Sequence, residues 1–264
     1  LTLSASLVGG DPLPDWLSFD AGTGSFTGRP PADFEGTLEI EVTASDGELS
    51  TSDVFELTIS ATDGGEPLNV TRGNGDDEII GGALGDTIVD TGGANTVSGN
   101  GGDDQIAVLS GENVIDGGAD NDFIRGGYDS DSLFGGAGDD IIQGDNSSSI
   151  GAADLLDGGT GNDLLEGGIG ADTFQFSTGD GTDTIGALVV DTSSGPASAT
   201  VTGADFESGV DTIRLEGFDL ADGEAALALV TDVDGVATFS AQGTTITFAG
   251  LTTADLSADD FQIL

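Results

Sequence analysis

The chain lacks cysteine, methionine, histidine and lysine, and its only basic residues are four arginines. The absence of cysteine excludes disulfide bonds and thiolate ligands, and the absence of histidine excludes imidazole acid–base catalysis. Zinc sites of the usual type, which use these two residue types, are excluded as well. The longest apolar run, residues 225–230, is far too short to cross a bilayer.

Acidic residues, in contrast, are abundant: 49 aspartates and glutamates face the four arginines, and the formal net charge is −45. Such a charge repels nucleic-acid phosphates and anionic lipid, so we expect no nucleic-acid partner and no membrane insertion. The same charge opposes compaction of the chain. We therefore expect either disorder or a fold that multivalent cations complete.

The first 62 residues carry apolar side chains at alternate positions in the runs 1–7, 38–44 and 55–59, separated by turn residues. This pattern is typical of a half-buried antiparallel sandwich, whose predicted core aromatics are Trp16, Phe19 and Phe26. The stretch from Trp16 to Gly28 resembles the cadherin-like, dystroglycan-type domain, which is also described as immunoglobulin-like. The resemblance implies a partial domain of that family.

Residues 63–71 are predicted to be a linker because they combine glycine, aspartate and proline. A nine-residue repeat then runs from 72 to 175, with units beginning at 72, 81, 90, 99, 108, 117, 126, 135, 144, 158 and 167. Only the unit at 144 is lengthened. In all eleven units the eighth position is apolar and the sixth is aspartate or asparagine. One such unit cannot bury its apolar residue alone, so the pattern predicts stacked coils of turns and short strands.

The units GGAGDDIIQ (135–143) and GGTGNDLLE (158–166) resemble the G-G-x-G-x-D-x-U-x repeat of RTX (repeats-in-toxin) proteins. This resemblance implies a parallel β-roll that binds calcium between stacked turns. The chemistry agrees, because calcium takes six to eight oxygen ligands, which aspartates and turn carbonyls supply. We therefore predict an all-β chain: a truncated Ig- or cadherin-like sandwich (1–62), a parallel β-roll (72–175) and a β-rich cap (176–264).

Because one coil takes two units, alternate units lie on opposite edges of the roll. The even edge stacks the sixth-position residues Asp86, Asp104, Asp122, Asp140 and Asp163. The odd edge stacks Asp77, Asn95, Asn113, Asp131, Asp154 and Asp172. Asparagine lacks the charge that offsets an ion, so we expect a gap in the calcium ladder there, which amide–backbone hydrogen bonds could close.

Further candidate ligands are the turn glycines of the repeats. They are Gly82, Gly99, Gly102, Gly117, Gly118, Gly135, Gly136, Gly138, Gly158, Gly159, Gly161, Gly168 and Gly170. They permit positive φ and close backbone approach. Together with the aspartates of both edges they are expected to hold about four to eight calcium ions.

The segments 170–185 and 205–218 resemble the C-terminal segment that follows the repeats in RTX exoproteins and serralysin-type proteases. The resemblance implies further calcium ligands at Asp180, Asp183 and Asp211, and an inserted loop or hairpin at 186–204. A β-hairpin is predicted from 236–239 and 245–248. The closing LSADDFQIL (256–264) resembles the end of a type I secretion signal and equally fits a last strand of the cap.

These features favour a non-catalytic role: calcium binding by a folding and secretion module at the C-terminus of a large secreted RTX adhesin. The expected partners are calcium ions and the type I secretion machinery, with cell-surface or glycan ligands bound through upstream domains. The expected location is extracellular or at the surface of a Gram-negative bacterium. Two alternatives remain open: an exoenzyme (protease, lipase or glycan-active) whose catalytic domain precedes Leu1, or a carbohydrate-binding cadherin-like domain.

Overall fold

The computed structural model describes residues 2–14, 16–22, 25–28, 36–45, 47, 49–59, 67–145, 151–193 and 196–264. The chain forms two compact units, Leu1–Gly64 and Gly65–Leu264. Their regular structure is almost all β-strand, which confirms the predicted fold class. Among the described residues, no helix has both the length and the apolar character needed to cross a membrane.

The first unit contains antiparallel strands, as predicted. They are β1 (Thr2–Leu7), β2 (Leu17–Asp20), β3 (Ser25–Gly28), β4 (Gly36–Ser45) and β5 (Ser50–Ile59). β1, β4 and β5 form one antiparallel sheet, and β2 and β3 form a hairpin. Among the described side chains of this unit, Ile40 and Leu17 are the buried apolar ones.

The predicted aromatic core of this unit is wrong. Trp16, Phe19 and Phe26 are only half-buried. Phe19 and Phe26 face each other across the β2–β3 hairpin, with ring centroids 4.7 Å apart.

The second unit begins with the strands of the roll. They are β6 (Asn69–Thr71), β7 (Glu78–Ile80), β8 (Thr87–Asp90), β9 (Thr96–Gly101), β10 (Gln105–Val108), β11 (Val114–Ala119), β12 (Phe123–Gly127), β13 (Ser132–Ala137), β14 (Ile141–Asp145), β15 (Leu155–Thr160), β16 (Leu164–Glu166), β17 (Thr173–Ser177) and β18 (Thr182–Ile185). Successive strands alternate between two parallel sheets. Neighbours within a sheet are one coil apart, so that Ile106 pairs with Ile124 and Ile115 with Leu133.

The remaining elements form the C-terminal part. They are β19 (Ala187–Asp191), β20 (Ser198–Gly203), β21 (Thr212–Glu216), α1 (Gly223–Leu227), β22 (Val230–Val233), β23 (Val236–Ala241), β24 (Thr244–Phe248), β25 (Phe261–Ile263) and 3₁₀ turns at Thr253–Asp255 and Ala258–Asp260. Both predicted hairpins are present, β19–β20 and β23–β24. β25 confirms the last-strand interpretation of the closing segment.

The two roll sheets continue into this C-terminal part. β24 adds to the ten-stranded sheet beside β18, and β21 and then β25 add to the eight-stranded sheet beside β17. Aromatic side chains fill the space between the sheets at this end, where Phe206 packs edge-on against Phe248 with centroids 5.6 Å apart. This end of the roll is therefore covered by a core continuous with that of the repeats.

The linker prediction is wrong for residues 69–71, which form β6 at the outer edge of the ten-stranded sheet. Val70 is buried and pairs with Ile88, eighteen residues later. It therefore occupies the eighth position of a degenerate unit that begins at residue 63. Of the predicted linker, residues 63–66 lie outside the described residues.

The β19–β20 hairpin covers an apolar stripe on the outer face of the ten-stranded sheet. Phe123, Ile141 and Leu164 occupy the seventh position of three successive even units, where side chains point away from the core. Leu188 of β19 packs on them and is buried. The hairpin therefore removes from water a stripe that a bare repeat would expose.

Candidate metal centre

The sixth-position side chains of the even edge form a continuous hydrogen-bonded ladder. In each step the backbone N–H of one residue donates to Oδ1 of its counterpart in the next coil. The steps are Asp86 to Asp104 (2.6 Å), Asp104 to Asp122 (2.8 Å), Asp122 to Asp140 (2.7 Å), Asp140 to Asp163 (2.8 Å) and Asp163 to Asp183 (3.1 Å). Asp183 thus extends the ladder one coil beyond the last even unit.

The odd edge carries a second ladder of the same kind. The donors and acceptors are Asp77 to Asn95 (2.9 Å), Asn95 to Asn113 (3.0 Å), Asn113 to Asp131 (2.8 Å), Asp131 to Asp154 (2.9 Å), Asp154 to Asp172 (2.9 Å) and Asp172 to Asp211 (3.0 Å). Asp211 closes this ladder, whereas Asp180 lies outside both and accepts from the backbone N–H of Ser177.

The ladders use one oxygen of each carboxylate and leave the other without a partner. Oδ2 is buried and accepts no hydrogen bond in Asp104, Asp122, Asp131, Asp140, Asp154, Asp163 and Asp183. A buried polar atom without a partner costs free energy, and a buried charge costs more unless it is paired. These rows of oxygen atoms therefore require a positively charged ligand or protonation.

Two ladder ends are better satisfied. Asp86 accepts from the backbone N–H of Leu68 at Oδ1 (2.6 Å) and from that of Gly82 at Oδ2 (2.9 Å). Asp211 accepts from Glu207 at Oδ2 (2.7 Å) as well as from Asp172. Asp77 is half-buried at the start of the odd edge. The unpartnered oxygens thus lie in the interior of each stack and at Asp183, the far end of the even ladder.

Burial raises the pKa of these carboxyl groups, and repulsion between stacked carboxylates adds to the effect. The pKa of Asp104, Asp131 and Asp140 rises to about 7, and that of Asp122 and Asp154 to about 8. The pKa of Asp163 and Asp183 is raised by burial as well. In the absence of a cation, the edges therefore disfavour the ionised form that metal binding uses.

Glycine at the first position of eight of the eleven units leaves the space into which Oδ2 points. A Cβ added there would collide with Oδ2 of the aspartate in the same unit; this holds for Gly81, Gly99, Gly117, Gly126, Gly135, Gly144, Gly158 and Gly167. At most of these positions the added Cβ would also meet a glycine carbonyl from the next coil, as Gly135 does with Gly158. A carboxylate oxygen and a carbonyl oxygen thus converge at each such glycine.

The other predicted glycines serve the turn itself. Gly136 at the second position and Gly138 at the fourth have φ of 108° and 146°, a region that disfavours residues with a Cβ. The same left-handed region is occupied by Gly102, Gly118, Gly159, Gly161 and Gly168. Gly170 lies against the backbone carbonyl of Ala152. First-position glycines therefore provide space, whereas second- and fourth-position glycines provide conformation.

A divalent cation fits this arrangement. The donors are hard oxygens, as calcium prefers, and no nitrogen or sulfur side chain is present to favour a softer metal. The described residues contain no group of three or more acidic side chains that could hold an ion by themselves. The ligands would therefore be sixth-position carboxylates together with turn carbonyls, and the ion would neutralise charges that are otherwise desolvated.

The two asparagines continue the hydrogen-bonded ladder of the odd edge but place an amide nitrogen where the aspartates have a second carboxylate oxygen. Nδ2 of Asn95 donates to the carbonyl of Gly93 (3.0 Å) and to Oδ1 of Asn113 (3.0 Å). Their units also lack the first-position glycine, which Asp90 and Val108 replace. Amide hydrogen bonds and larger side chains thus replace the oxygen-lined space at this part of the edge.

Sequence reasoning missed several residues of these sites. Gly126, Gly144 and Gly167 line the odd edge as the first-position glycines of the even units do, and their position in the repeat was the available signal. Asp205 was also missed; its carboxylate accepts from the backbone N–H groups of Gly167 (2.7 Å) and Gly168 (3.2 Å). No repeat position marks Asp205, because it follows the inserted hairpin.

Comparisons with known proteins agree with this geometry. The "Putative Ig domain" family matches residues 1–60, and the family of RTX calcium-binding nonapeptide repeats matches residues 80–115, 108–142 and 151–185. No curated protein sequence matches the chain.

Among solved structures, a subunit of the Azotobacter vinelandii mannuronan C5-epimerase is 28% identical over 55% of this chain and 78% of its own, with a TM-score of 0.39. The extracellular lipase LipA from Serratia marcescens is 15% identical over 71% of this chain and 40% of its own, with a TM-score of 0.37. The repeat matches coincide with the units that form the two ladders. Residues 80–142 and 151–185 are therefore similar to the family of RTX calcium-binding nonapeptide repeats, and residues 1–60 are similar to the "Putative Ig domain" family.

Proposed function

We propose that this chain is a calcium-dependent folding and secretion module at the C-terminus of a large secreted RTX adhesin. The observation that carries the proposal is the double row of buried carboxylate oxygens without partners along the two edges of the roll. With 49 acidic residues and four arginines, the chain has too few cations of its own to neutralise these rows. Bound calcium supplies the missing charge.

At the even edge, calcium is expected to bind the carboxylates of Asp104, Asp122, Asp140, Asp163 and Asp183. At the odd edge, it is expected to bind those of Asp131, Asp154 and Asp172. A site exposed to calcium at ten times its dissociation constant stabilises the folded state by about 1.4 kcal/mol. About five such sites contribute on the order of 7 kcal/mol, which is comparable to the whole stability of a typical domain, about 5–15 kcal/mol. Calcium concentration then decides whether the roll is folded.

This dependence suits export. At the low calcium concentration of the cytosol the acidic repeats stay unfolded, as passage through the narrow channel of type I secretion machinery requires. In calcium-rich medium they fold against the C-terminal part, whose aromatic core offers a template for the last coil. RTX repeats are typical of proteins secreted by Gram-negative bacteria, which supports an extracellular location.

The adhesin assignment rests on the immunoglobulin-like unit before the roll. Such domains suit a role as extender modules that hold a ligand-binding region away from the cell, and the nearby roll would then serve export and stability. Cell-surface or glycan ligands would be bound by upstream domains. A glycan array probed with residues 1–62 in calcium tests the alternative that this domain itself binds carbohydrate.

Circular dichroism and size-exclusion chromatography of the full chain test the calcium requirement. In millimolar calcium we expect strong β signal and a compact elution volume, and in chelator we expect loss of most β signal and early elution. Magnesium at the same concentration is the control for ionic strength, because it demands a tighter octahedral shell. A chain that stays compact and β-rich in chelator would contradict the proposal.

A further inference from the structure

The lengthened unit at 144 contains an acidic residue where the neighbouring odd units have glycine. Asp145 occupies the second position, which is Gly127 in the preceding odd unit and Gly168 in the following one. It is the last residue of β14, at the odd edge of the roll. A carboxylate at this position departs from the repeat, and the atoms around it indicate its role.

The Asp145 side chain is only 7% exposed, and its Oδ1 atom has no hydrogen-bond partner. Oδ2 accepts from the backbone N–H of Ile169 in the next coil at 2.7 Å. A backbone hydrogen bond from Ala152 also reaches this carboxylate. The carboxylate is therefore held in place by backbone donors while Oδ1 stays buried and unsatisfied. The same division between the two oxygens occurs in the sixth-position aspartates.

Space beside this carboxylate is kept open by glycines. A Cβ added to Gly151 would collide with Oδ2 of Asp145 and with the carbonyl oxygen of Ile169. A Cβ added to Gly168 would lie 2.7 Å from the same Oδ2. Oδ2 of Asp145 and a carbonyl oxygen from the next coil thus converge at Gly151. In contrast to the unpartnered Oδ2 of most sixth-position aspartates, this oxygen already accepts a hydrogen bond, and the unpartnered atom of the same carboxylate is Oδ1.

The surroundings are acidic. After burial, the charge of Asp145 is among the causes that raise the pKa of Asp131, Asp154 and Asp172, so these carboxyls lie within electrostatic reach. Glu166 acts on Asp145 in the same way. An additional negative charge at this place destabilises the metal-free edge, and either a bound cation or protonation offsets it.

We propose that Asp145 and the Ile169 carbonyl form an additional divalent-cation site around Gly151, outside the repeat pattern. The site depends on the proposed function, since it presupposes that the roll binds calcium. It adds a carboxylate ligand to the odd edge just beyond the part that the asparagines weaken. The lengthened unit then contributes a metal site to the odd edge, where the asparagines leave fewer metal sites than at the even edge.

The test compares Asp145→Asn with Asp116→Asn in calcium titrations against a chromophoric chelator. Asp116 is exposed at a ninth position on the face of the roll, so its substitution removes one charge away from either edge. We expect D145N to lose one bound calcium per chain, or to weaken one site at least tenfold, and D116N to match the unmodified chain. Unchanged stoichiometry and affinities in D145N would overturn the site.

Two further outcomes are decisive. If D145N does not fold in saturating calcium, terbium-soaked crystals of the unmodified chain are examined by anomalous diffraction. A peak within about 2.3–2.6 Å of an Asp145 carboxylate oxygen supports the site, whereas terbium at sixth-position aspartates alone overturns it. If the unmodified chain binds no calcium, the proposed function fails together with the site. Binding by the unmodified chain with no effect of D145N removes the site only.

Discussion

The side-chain amide of Asn113 donates a 2.9 Å hydrogen bond to Oδ1 of Asp131. The same nitrogen donates to the carbonyl oxygen of Gly111 at 2.6 Å. In eight units of the two ladders, the corresponding atom is a carboxylate oxygen that points at a first-position glycine. Here that position is Val108, which is buried. Every unit with a first-position glycine has aspartate at the sixth position, and both asparagine units have a larger residue at the first; the first unit, with Arg72 and Asp77, is the exception.

Asn113→Asp is expected to destabilise the calcium-loaded chain by about 1–3 kcal/mol, because it replaces a donor by an unpaired buried charge next to Asp131. Added calcium should not restore the loss, since the Val108 side chain occupies the space beside the new oxygen. Urea denaturation at saturating calcium measures the change.

The double substitution Asn113→Asp with Val108→Gly provides the matched control. It recreates the pairing of the other units and should bind additional calcium and recover stability relative to N113D at high calcium. If N113D alone bound additional calcium, the inference that the first and sixth positions act together would be wrong.

Asp122→Asn should remove a calcium site while keeping the ladder. Asparagine retains Oδ1, which accepts from the backbone N–H of Asp104, and replaces the unpartnered Oδ2 by an amide nitrogen. We expect lower calcium stoichiometry, and a loss of about 1.4 kcal/mol or more at ten times the dissociation constant. Calorimetric titration measures both, with Asp116→Asn as the control for charge alone. Full stoichiometry in D122N would show that Oδ2 is not a ligand.

The metal-free chain should become more folded as the pH falls from about 8 to about 5. Burial, and then repulsion from stacked neighbours, raises the pKa of Asp122 to about 8 and that of Asp140 to about 7, while an unfolded aspartate has a pKa of about 3.9. Between these values the folded state binds more protons than the unfolded state, so its stability falls as the pH rises through the folded pKa.

Calcium reverses the sign of this dependence. An ion requires ionised ligands, so protons compete with it and the loaded chain should lose stability on acidification. Circular dichroism between pH 5 and 8, in metal-free buffer and in millimolar calcium, should give opposite slopes. β signal that increased with pH in the metal-free chain would contradict the assignment of the shifted groups.

The sequence predicts the roll well because its information is periodic. An apolar eighth position in every unit determines which side chains face the core, and the two-unit coil determines which aspartates share an edge. The order of residues in both ladders follows from this nine-residue spacing and the two-unit coil. Asp183 and Asp211 were identified by resemblance alone, and the structure places them at the ladder ends where the next coil would have its aspartate.

The features that the sequence did not predict depend on contacts that do not recur at the nine-residue spacing. Val70 belongs to a unit whose sixth position is Leu68, so the acidic signature that marks the other units is missing. Asp145 keeps the regular register beside Gly127, and its partner Ile169 lies in the next coil. Trp16 and Phe19 looked like core residues because they are large and apolar, but burial depends on which strands cover them.

Gly135→Ala is expected to destabilise the roll through a steric collision rather than through backbone strain. Gly135 does not have positive φ, but an added Cβ would collide with Oδ2 of Asp140 and lie 2.5 Å from the carbonyl oxygen of Gly158. The carboxylate would have to move away from the point where the two oxygens converge. Overpacking of this kind costs about 1–3 kcal/mol, and the displaced carboxylate should weaken one calcium site as well.

Gly101→Ala is the matched control for that substitution. Gly101 lies in β9, a strand of the same eight-stranded sheet as β13, which contains Gly135. It has no positive φ, and its added Cβ would come no closer than 3.9 Å to any neighbour. G101A should therefore leave the calcium affinity and the urea midpoint nearly unchanged, whereas G135A lowers both. If the two substitutions had equal effects, any alanine in a roll strand would be equally harmful. The first-position glycine would then not be needed to keep room for the ion and its ligands.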